Sequence, residues 1–349
     1  MVFGPCGGVR DDHTCELDAR PCPFAGPTAE AVPWPAAPGS TGATPGAGST
    51  GSDSTRSTRS ALLDAAARGP VVLTDLTIPA YDAEGLAAVT RTLEGSCDAV
   101  LVGEHQSRPD FPPTLMAALV AEAGGTPWVT LACRDRNRVV LEQELAGLAV
   151  AGVDGVLCVT GDIRAPGVRP GVTQVFDLDG TQLAALASAA GHAVAVPEAP
   201  CAAPRGLRPG RLVEKQRAGA HLAVLNHVGS PGQVAAFVAA ARSLGLTLPV
   251  VAGVAVYTDE RSARVLQRFP GLHLDGNEVE RVLAADDVRA AGIDAAVREA
   301  RALLAVEGVA GVNLSGLGSA EGPLAGARVK AEVGRRIKEE SDGAGSGHG

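Results

Sequence analysis

From Pro70 onward the chain alternates short continuous apolar runs with longer stretches in which apolar residues recur three or four positions apart. The apolar runs predict strands at Val71–Thr77, Ala99–Gly103, Trp128–Cys133, Gly155–Thr160, Ala193–Pro197, Leu222–Asn226, Pro249–Val256 and Gly311–Ser315, each followed by a helical stretch. Runs of Val, Leu and Ala without apolar–polar alternation mark strands covered on both faces, the signature of parallel sheets. The clearest unit runs from Leu131 to Asp162: a strand, a charged turn at Arg134 to Asn137, a helix with Leu141, Leu145 and Leu148 on one face, a stop at Gly152, and a second strand. About eight such units in about 250 residues predict a closed (β/α)8 TIM barrel rather than an open sheet. No early strand is followed by the Gly-x-Gly-x-x-Gly turn of a dinucleotide-binding sheet. Extra helices are expected at Asn277–Ala284 and Asp287–Val306, and a closing amphipathic helix at Leu324–Glu340 offers a lid or an interface. The tail, 341–349, reads as disordered.

Ahead of the barrel, assigned to 61–340, a helix at Ala61–Arg68 leads in, and 35–60 collapses to Gly, Ser, Thr, Pro and Ala, the composition of a disordered linker. Such a linker spans roughly 25 to 30 Å as a coil. Residues 1–34 form a cysteine-rich arm in which Cys6, His13, Cys15 and Cys22 crowd four soft or borderline ligands into a segment too short for a core. Tetrahedral zinc would satisfy them, although the spacing is not that of a common zinc finger; the alternative is three surface cysteines. Cys97, Cys133, Cys158 and Cys201 have no metal spacing and read as reduced packing residues.

With 349 residues, 46% of them hydrophobic, the chain has ample material for a core. A formal charge of −9 argues against nucleic acid or an anionic membrane as the main partner. No apolar run approaches the ~20 residues that span a bilayer, and no secretory signal opens the chain, so the expected address is cytoplasmic.

In a barrel of this kind chemistry sits at the carboxyl ends of the strands. Those positions carry Asp75, Glu104-His105-Gln106, Arg134-Asp135-Arg136-Asn137, Thr160-Gly161-Asp162, Glu198, Asn226-His227 and Tyr257. Asp75 and Asp162 with the amide of Asn226 would make a polar pocket able to hold a nitrogen heterocycle and exchange protons with it. Singly, each has a plainer reading: Asp162 as a helix cap, Asp135 paired with a neighbouring arginine, Asp75 as a solvated strand residue, His105 and His227 as local hydrogen-bonding groups. Their convergence on one rim favours function.

The run CRDRNRVVLEQELAGLAVAGVDGVLCVTGD, with VFDLD at 175–179 and KQRAGAHLAVLN at 215–226, resembles the methylenetetrahydrofolate reductase family over roughly Val71 to Gly318. The GPCGG…CE…CPF arm resembles a cysteine-rich unit found with certain bacterial members. The resemblance implies a (β/α)8 barrel that binds FAD and passes hydride from NAD(P)H to 5,10-methylenetetrahydrofolate. It places Asp162 beside the isoalloxazine ring, Lys215 on the FAD phosphates, and Gly103, Thr130, Thr160, Gly161 and Glu198 around the cofactor. Asp75 falls where the family has a glutamate acting as general acid on the folate, and Asn226 where a glutamine bonds the pterin; Tyr257 joins them on the substrate side. Gly103 and Thr160 stand where some members have a threonine and an arginine, and Glu198 where a neutral side chain is usual. Shortening Asp75 and Asn226 by a methylene each withdraws both polar heads by roughly 1.3 to 1.5 Å, enough to slow the ordinary substrate and admit a bulkier one. Two alternatives stand beside this reading: a repurposed flavoenzyme acting on a non-folate substrate in specialised metabolism, and a non-catalytic barrel binding a ligand or partner. Association into a homo-oligomer, or with a protein docked on the cysteine arm, is compatible with either.

Overall fold

The structure, a computed structural model, describes residues 10, 12, 14, 60–105, 108–164, 168, 170–269 and 272–345, with side chains as far as residue 339. Cys6, His13, Cys15 and Cys22, and with them the expected metal site and most of the arm and linker, lie outside the described residues. After a short helix α1 (Ala61–Ala66), eight parallel strands close on themselves in chain order: β1 (Val71–Asp75), β2 (Ala99–Val102), β3 (Pro127–Ala132), β4 (Gly155–Val159), β5 (Val194–Glu198), β6 (Leu222–Leu225), β7 (Val250–Tyr257) and β8 (Val309–Gly318), which pairs back with β1. Helices α2 (Ala83–Leu93), α3 (Pro113–Glu122), α4 (Arg138–Val150), α5 (Gly180–Ala189), α6 (Arg208–Arg217) and α7 (Pro231–Ser243) follow β1 to β6 in turn. Three helices, α8 (Glu260–Gln267), α9 (Gly276–Leu283) and α10 (Val288–Leu304), connect β7 to β8, and α11 (Pro323–Gly345) closes the ring. The (β/α)8 architecture expected from the sequence is the one found.

The strands look uniformly apolar because each serves two cores. Alternate residues point to opposite faces of a strand. Val71, Leu73, Leu101, Trp128, Leu157, Ala195, Val224 and Val251 fill the inside of the barrel with Leu62 of α1, while Val72, Val100, Val129, Val156, Val196 and Val312 pack outward against the helices. At the amino-terminal end Asp154 fastens α1 as a stopper, accepting hydrogen bonds from the Ser60 hydroxyl (2.8 Å), the Ala61 amide (2.6 Å) and the Trp128 indole (2.6 Å). Gly155 is obligatory beside that indole, because a Cβ there would lie 2.4 Å from ring carbons of Trp128.

The four cysteines of the barrel are free thiols, with Cys133 and Cys158 buried. β8 begins two residues earlier and ends three later than the apolar run suggests, since it pairs with β7 across register shifts. α11 continues to Gly345, past the start of the tail that reads as disordered, because extending a formed helix adds one hydrogen bond for each residue fixed. No helix among the described residues is long and apolar enough to cross a membrane.

Candidate functional site

The side-chain alternation that builds the two cores also selects which residues reach the barrel mouth. Two positions beyond the inward-facing Leu73, Leu101, Trp128 and Val224 stand Asp75, Gly103, Thr130 and Asn226, which therefore face the lumen above an apolar floor. On β8, Val312 and Leu314 point outward, so Asn313 and Ser315 turn inward. The Asn313 amide donates to Asp75 Oδ1 (2.9 Å) and to Ser315 Oγ (2.9 Å). Its own Oδ1 is buried without a partner among the described residues, and Asp75 Oδ2 likewise accepts no hydrogen bond there. From behind, the buried Lys330 of α11 donates its Nζ to the Asp75 backbone carbonyl (2.7 Å). Burial pulls the Lys330 pKa down to about 8 against the opposing pull of Asp75.

The charged turn after β3 forms one wall. Arg134, buried, donates Nε to Asp135 (3.0 Å), Nη1 to the Asp162 carbonyl (3.4 Å) and Nη2 to the His105 carbonyl (3.3 Å), so that one guanidinium ties three loops together. Arg136 grips both oxygens of Glu104 (2.9 and 2.8 Å), and Glu104 also accepts from the Ala132 amide (2.9 Å). Asn137 caps α4 through Val140 N. The expected Asp135–arginine pair is thus present, and the His105 ring lies 3.3 Å from Asp110. At Gly161, φ is 86°, and a Cβ would approach Arg134 Cβ to 3.1 Å and Ala132 Cβ to 3.2 Å; only glycine permits this turn into Asp162. Burial raises the pKa of the Asp162 carboxyl, with Arg134 offsetting part of the rise.

Three other sequence-predicted residues, Thr160, Glu198 and Lys215, are placed away from the lumen, and a fourth, Tyr257, is buried in an apolar cluster. Thr160 shares the outward side of β4 with Val156 and Cys158, and its hydroxyl accepts the Gly180 amide (2.9 Å), docking α5. Glu198 follows the outward-facing Val194 and Val196 and meets α6, where Oε2 takes Lys215 Nζ (2.9 Å) and Oε1 takes Arg208 Nη1 (3.1 Å). Lys215 also donates to the Pro197 carbonyl. Burial alone would raise the Glu198 pKa, but Lys215, Arg211 and Arg208 reverse this and hold it at about 2. The ammonium assigned to cofactor phosphates is therefore engaged in an ion cluster behind β5. Tyr257 lies beyond a register shift in the β7–β8 pairing and joins an apolar cluster with Ala263, Leu266, Val279 and Val282, where burial pushes its pKa to about 12.

Sequence reasoning missed Asn313, although a lone amide at an inward position of an apolar strand marks it. A groove of about 420 Å³ opens outward from Gly103 and Thr130 between the loops after β2, β3 and β4. A larger cavity, about 920 Å³, sits between the ends of β7 and β8 against α8 and α11, and none of the sequence-predicted site residues lines it.

No protein-family model matches the sequence, and no curated protein matches it. Among solved structures, an uncharacterized protein from Clostridium thermocellum that binds two copies of 5-methyl-5,6,7,8-tetrahydrofolic acid aligns with a TM-score of 0.58 at 12% identity, covering 79% of this chain and 99% of that one. An oxaloacetate acetylhydrolase aligns at TM-score 0.44 and 14% identity, covering 73% of this chain and 79% of that one. Tryptophan synthase from M. tuberculosis aligns at TM-score 0.44 and 14% identity, covering 79% and 96%. What the first of these likenesses shows is the barrel fold.

Proposed function

We propose that the mouth of this barrel binds a reduced folate and that the chain acts on it as an oxidoreductase of the methylenetetrahydrofolate reductase kind, with NAD(P)H as the source of hydride. The observation that carries the reading is Asp75, turned into the lumen at the top of β1 and fixed through one oxygen by Asn313, which leaves its second oxygen for a ligand. Asn226 faces the same lumen and can donate and accept along a pterin edge. The folate bound by the Clostridium thermocellum protein on the same fold supports the choice of ligand.

In this scheme Asp75 gives a proton to a nitrogen of the folate as its carbon–nitrogen bond opens, and Asn313 holds the carboxyl in place while it does so. Asp162 places a negative charge near the cationic iminium form of the methylene group. The apolar floor beneath excludes water from the reacting carbon. FAD is the hydride carrier that the resemblance implies, and when bound it supplies the relay between nicotinamide and folate. Its ring end fits what is present: nothing stands within 4 Å of a Cβ built on Gly103, and Thr130 borders that space. Its diphosphate end does not fit at Lys215, which Glu198 and the Pro197 carbonyl hold behind β5. A bound diphosphate has to be met by other cations.

Spectra of the purified full chain, with calorimetric titration of 5-methyltetrahydrofolate, test the reading. Folate binding that is lost in Asp75→Ala, and oxidation of NAD(P)H that depends on methylenetetrahydrofolate, are expected. A chain that binds no reduced folate refutes it. Asp75→Glu with Asn226→Gln should raise folate turnover; if it does not, shortened reach is not what limits the site.

A further inference from the structure

The groove beside the mouth holds a cation that the described residues answer through one nitrogen only. Arg164, just after β4, has a side chain only 10% exposed, yet its Nε and Nη1 are buried with no hydrogen-bond partner among the described residues. Nη2 alone is engaged, donating to Asp135 Oδ2 at 2.7 Å. That carboxylate also serves Arg134 at 3.0 Å. Of the other acids of the groove, Glu104 serves Arg136 and Glu144 accepts from the Thr114 hydroxyl, while Asp110 takes the Tyr81 and Phe111 amides on Oδ1 and keeps a buried Oδ2 that lies 3.3 Å from the His105 ring without a hydrogen bond among the described residues. Arg108, exposed on the opposite lip, forms no ion pair among the described residues. A guanidinium that lines the groove and keeps two buried nitrogens without partners among the described residues is completed by an oxyanion, for which its planar donors are suited.

We infer that Arg164, with Arg108, forms a subsite for the oxyanionic arm of the ligand whose ring occupies the mouth. Gly103 and Thr130 belong both to the lumen and to the groove, so a single molecule can run from one into the other. A volume of about 420 Å³ suits such an arm. The shared chemistry is a carboxylate or phosphate group, supplied either by the glutamate tail of a folate or by the diphosphate of a dinucleotide. The second source would also answer for the diphosphate that Lys215 does not meet. The inference deepens the folate reading but does not need the tail to be the source.

Calorimetry on the full chain separates the two. The probes are 5-methyltetrahydrofolate with one and with three glutamates, tetrahydropterin without a tail, and ADP and inorganic pyrophosphate, against wild type, Arg164→Gln and Arg164→Lys, with thermal melts confirming that each variant is folded. The site predicts that Arg164→Gln weakens at least one anionic probe about tenfold or more, that Arg164→Lys restores part of the loss, and that tetrahydropterin is unaffected. A loss confined to the folates identifies the tail, and a loss confined to ADP and pyrophosphate identifies a diphosphate; the second result keeps the subsite even if no folate binds. If folates bind equally to wild type and Arg164→Gln, and ADP and pyrophosphate show no dependence on Arg164, the subsite is refuted while the folate reading stands.

Discussion

The ion cluster behind β5 gives a test in which a structural role and a cofactor role for Lys215 predict different outcomes. Glu198, 2% exposed, lies between Lys215 Nζ at 2.9 Å and Arg208 Nη1 at 3.1 Å. Glu198→Gln keeps the shape but removes the charge that compensates two buried cations, and breaking a buried pair from one side costs about 3 to 5 kcal/mol. For a domain of this size that lowers Tm by about 5 to 9 °C. Lys215→Met leaves Glu198 with Arg208 and should cost less, about 1.5 to 3 kcal/mol, the worth of a hydrogen bond to a charged group. The pH dependence has a definite sign. A carboxyl held at about 2 when folded, against 4.5 in its ordinary state, contributes stability that is complete above pH 4.5 and is lost as pH falls toward 2. Its size is on the order of 3 kcal/mol. Urea melts of the full chain between pH 2 and 7, with the double variant closing the cycle, measure all of this; a coupling above about 1 kcal/mol is expected because the two side chains touch. A coupling near zero, with Lys215→Met fully stable but losing its affinity for FAD, would show that the ammonium faces a ligand and that the ion cluster is not its working state.

His227 has acceptors at both ring nitrogens, the His273 carbonyl at 2.7 Å and Glu299 Oε1 at 2.5 Å. Burial disfavours its charge, but Glu299 and that carbonyl prevail and raise its pKa above 6.5. Its contribution to stability is therefore complete below about pH 6.5 and is lost as pH rises through the higher folded value, and Glu299→Gln should flatten the dependence of Tm on pH in that range. Gly155→Ala forces a methyl toward ring carbons of Trp128 that lie 2.4 Å away, so a loss of about 1 to 3 kcal/mol in urea melts is expected; an unchanged midpoint would mean that the indole can move. Asn313→Ala removes the only side-chain donor found on Asp75 among the described residues. If Asp75 is the proton donor, folate turnover should fall about tenfold or more in kcat with a smaller change in KM, whereas an unchanged kcat would count against Asp75 as the acid.

The barrel was legible because parallel strands buried on both faces leave a coarse signal, uniform apolar runs separated by helical periodicity. That same uniformity hid which face each strand turns to the lumen, and the face decides function. Thr160 and Asp162 are two residues apart at the end of β4, yet the hydroxyl of Thr160 docks α5 while Gly161 redirects the chain so that the Asp162 carbonyl meets Arg134. Glu198 reads as a rim acid from its place at a strand end, but one step of alternation puts it against α6. Counting back by twos from Trp128 on β3 and from its paired neighbours would have sorted Asp75, Thr130 and Asn226 from Thr160 and Glu198 before any coordinates, because the closed sheet fixes the phase of every strand once one is known. That count leaves Tyr257 in the inward phase of Val251, since the extra residue of the register shift lies on β8; what it does not show is the packing of the ring into an apolar cluster with α8 and α9. Arg164 escapes the count: it lies past the strand end, and only the three-dimensional accounting of its donors against Asp135 shows that it has hydrogen-bonding capacity left over.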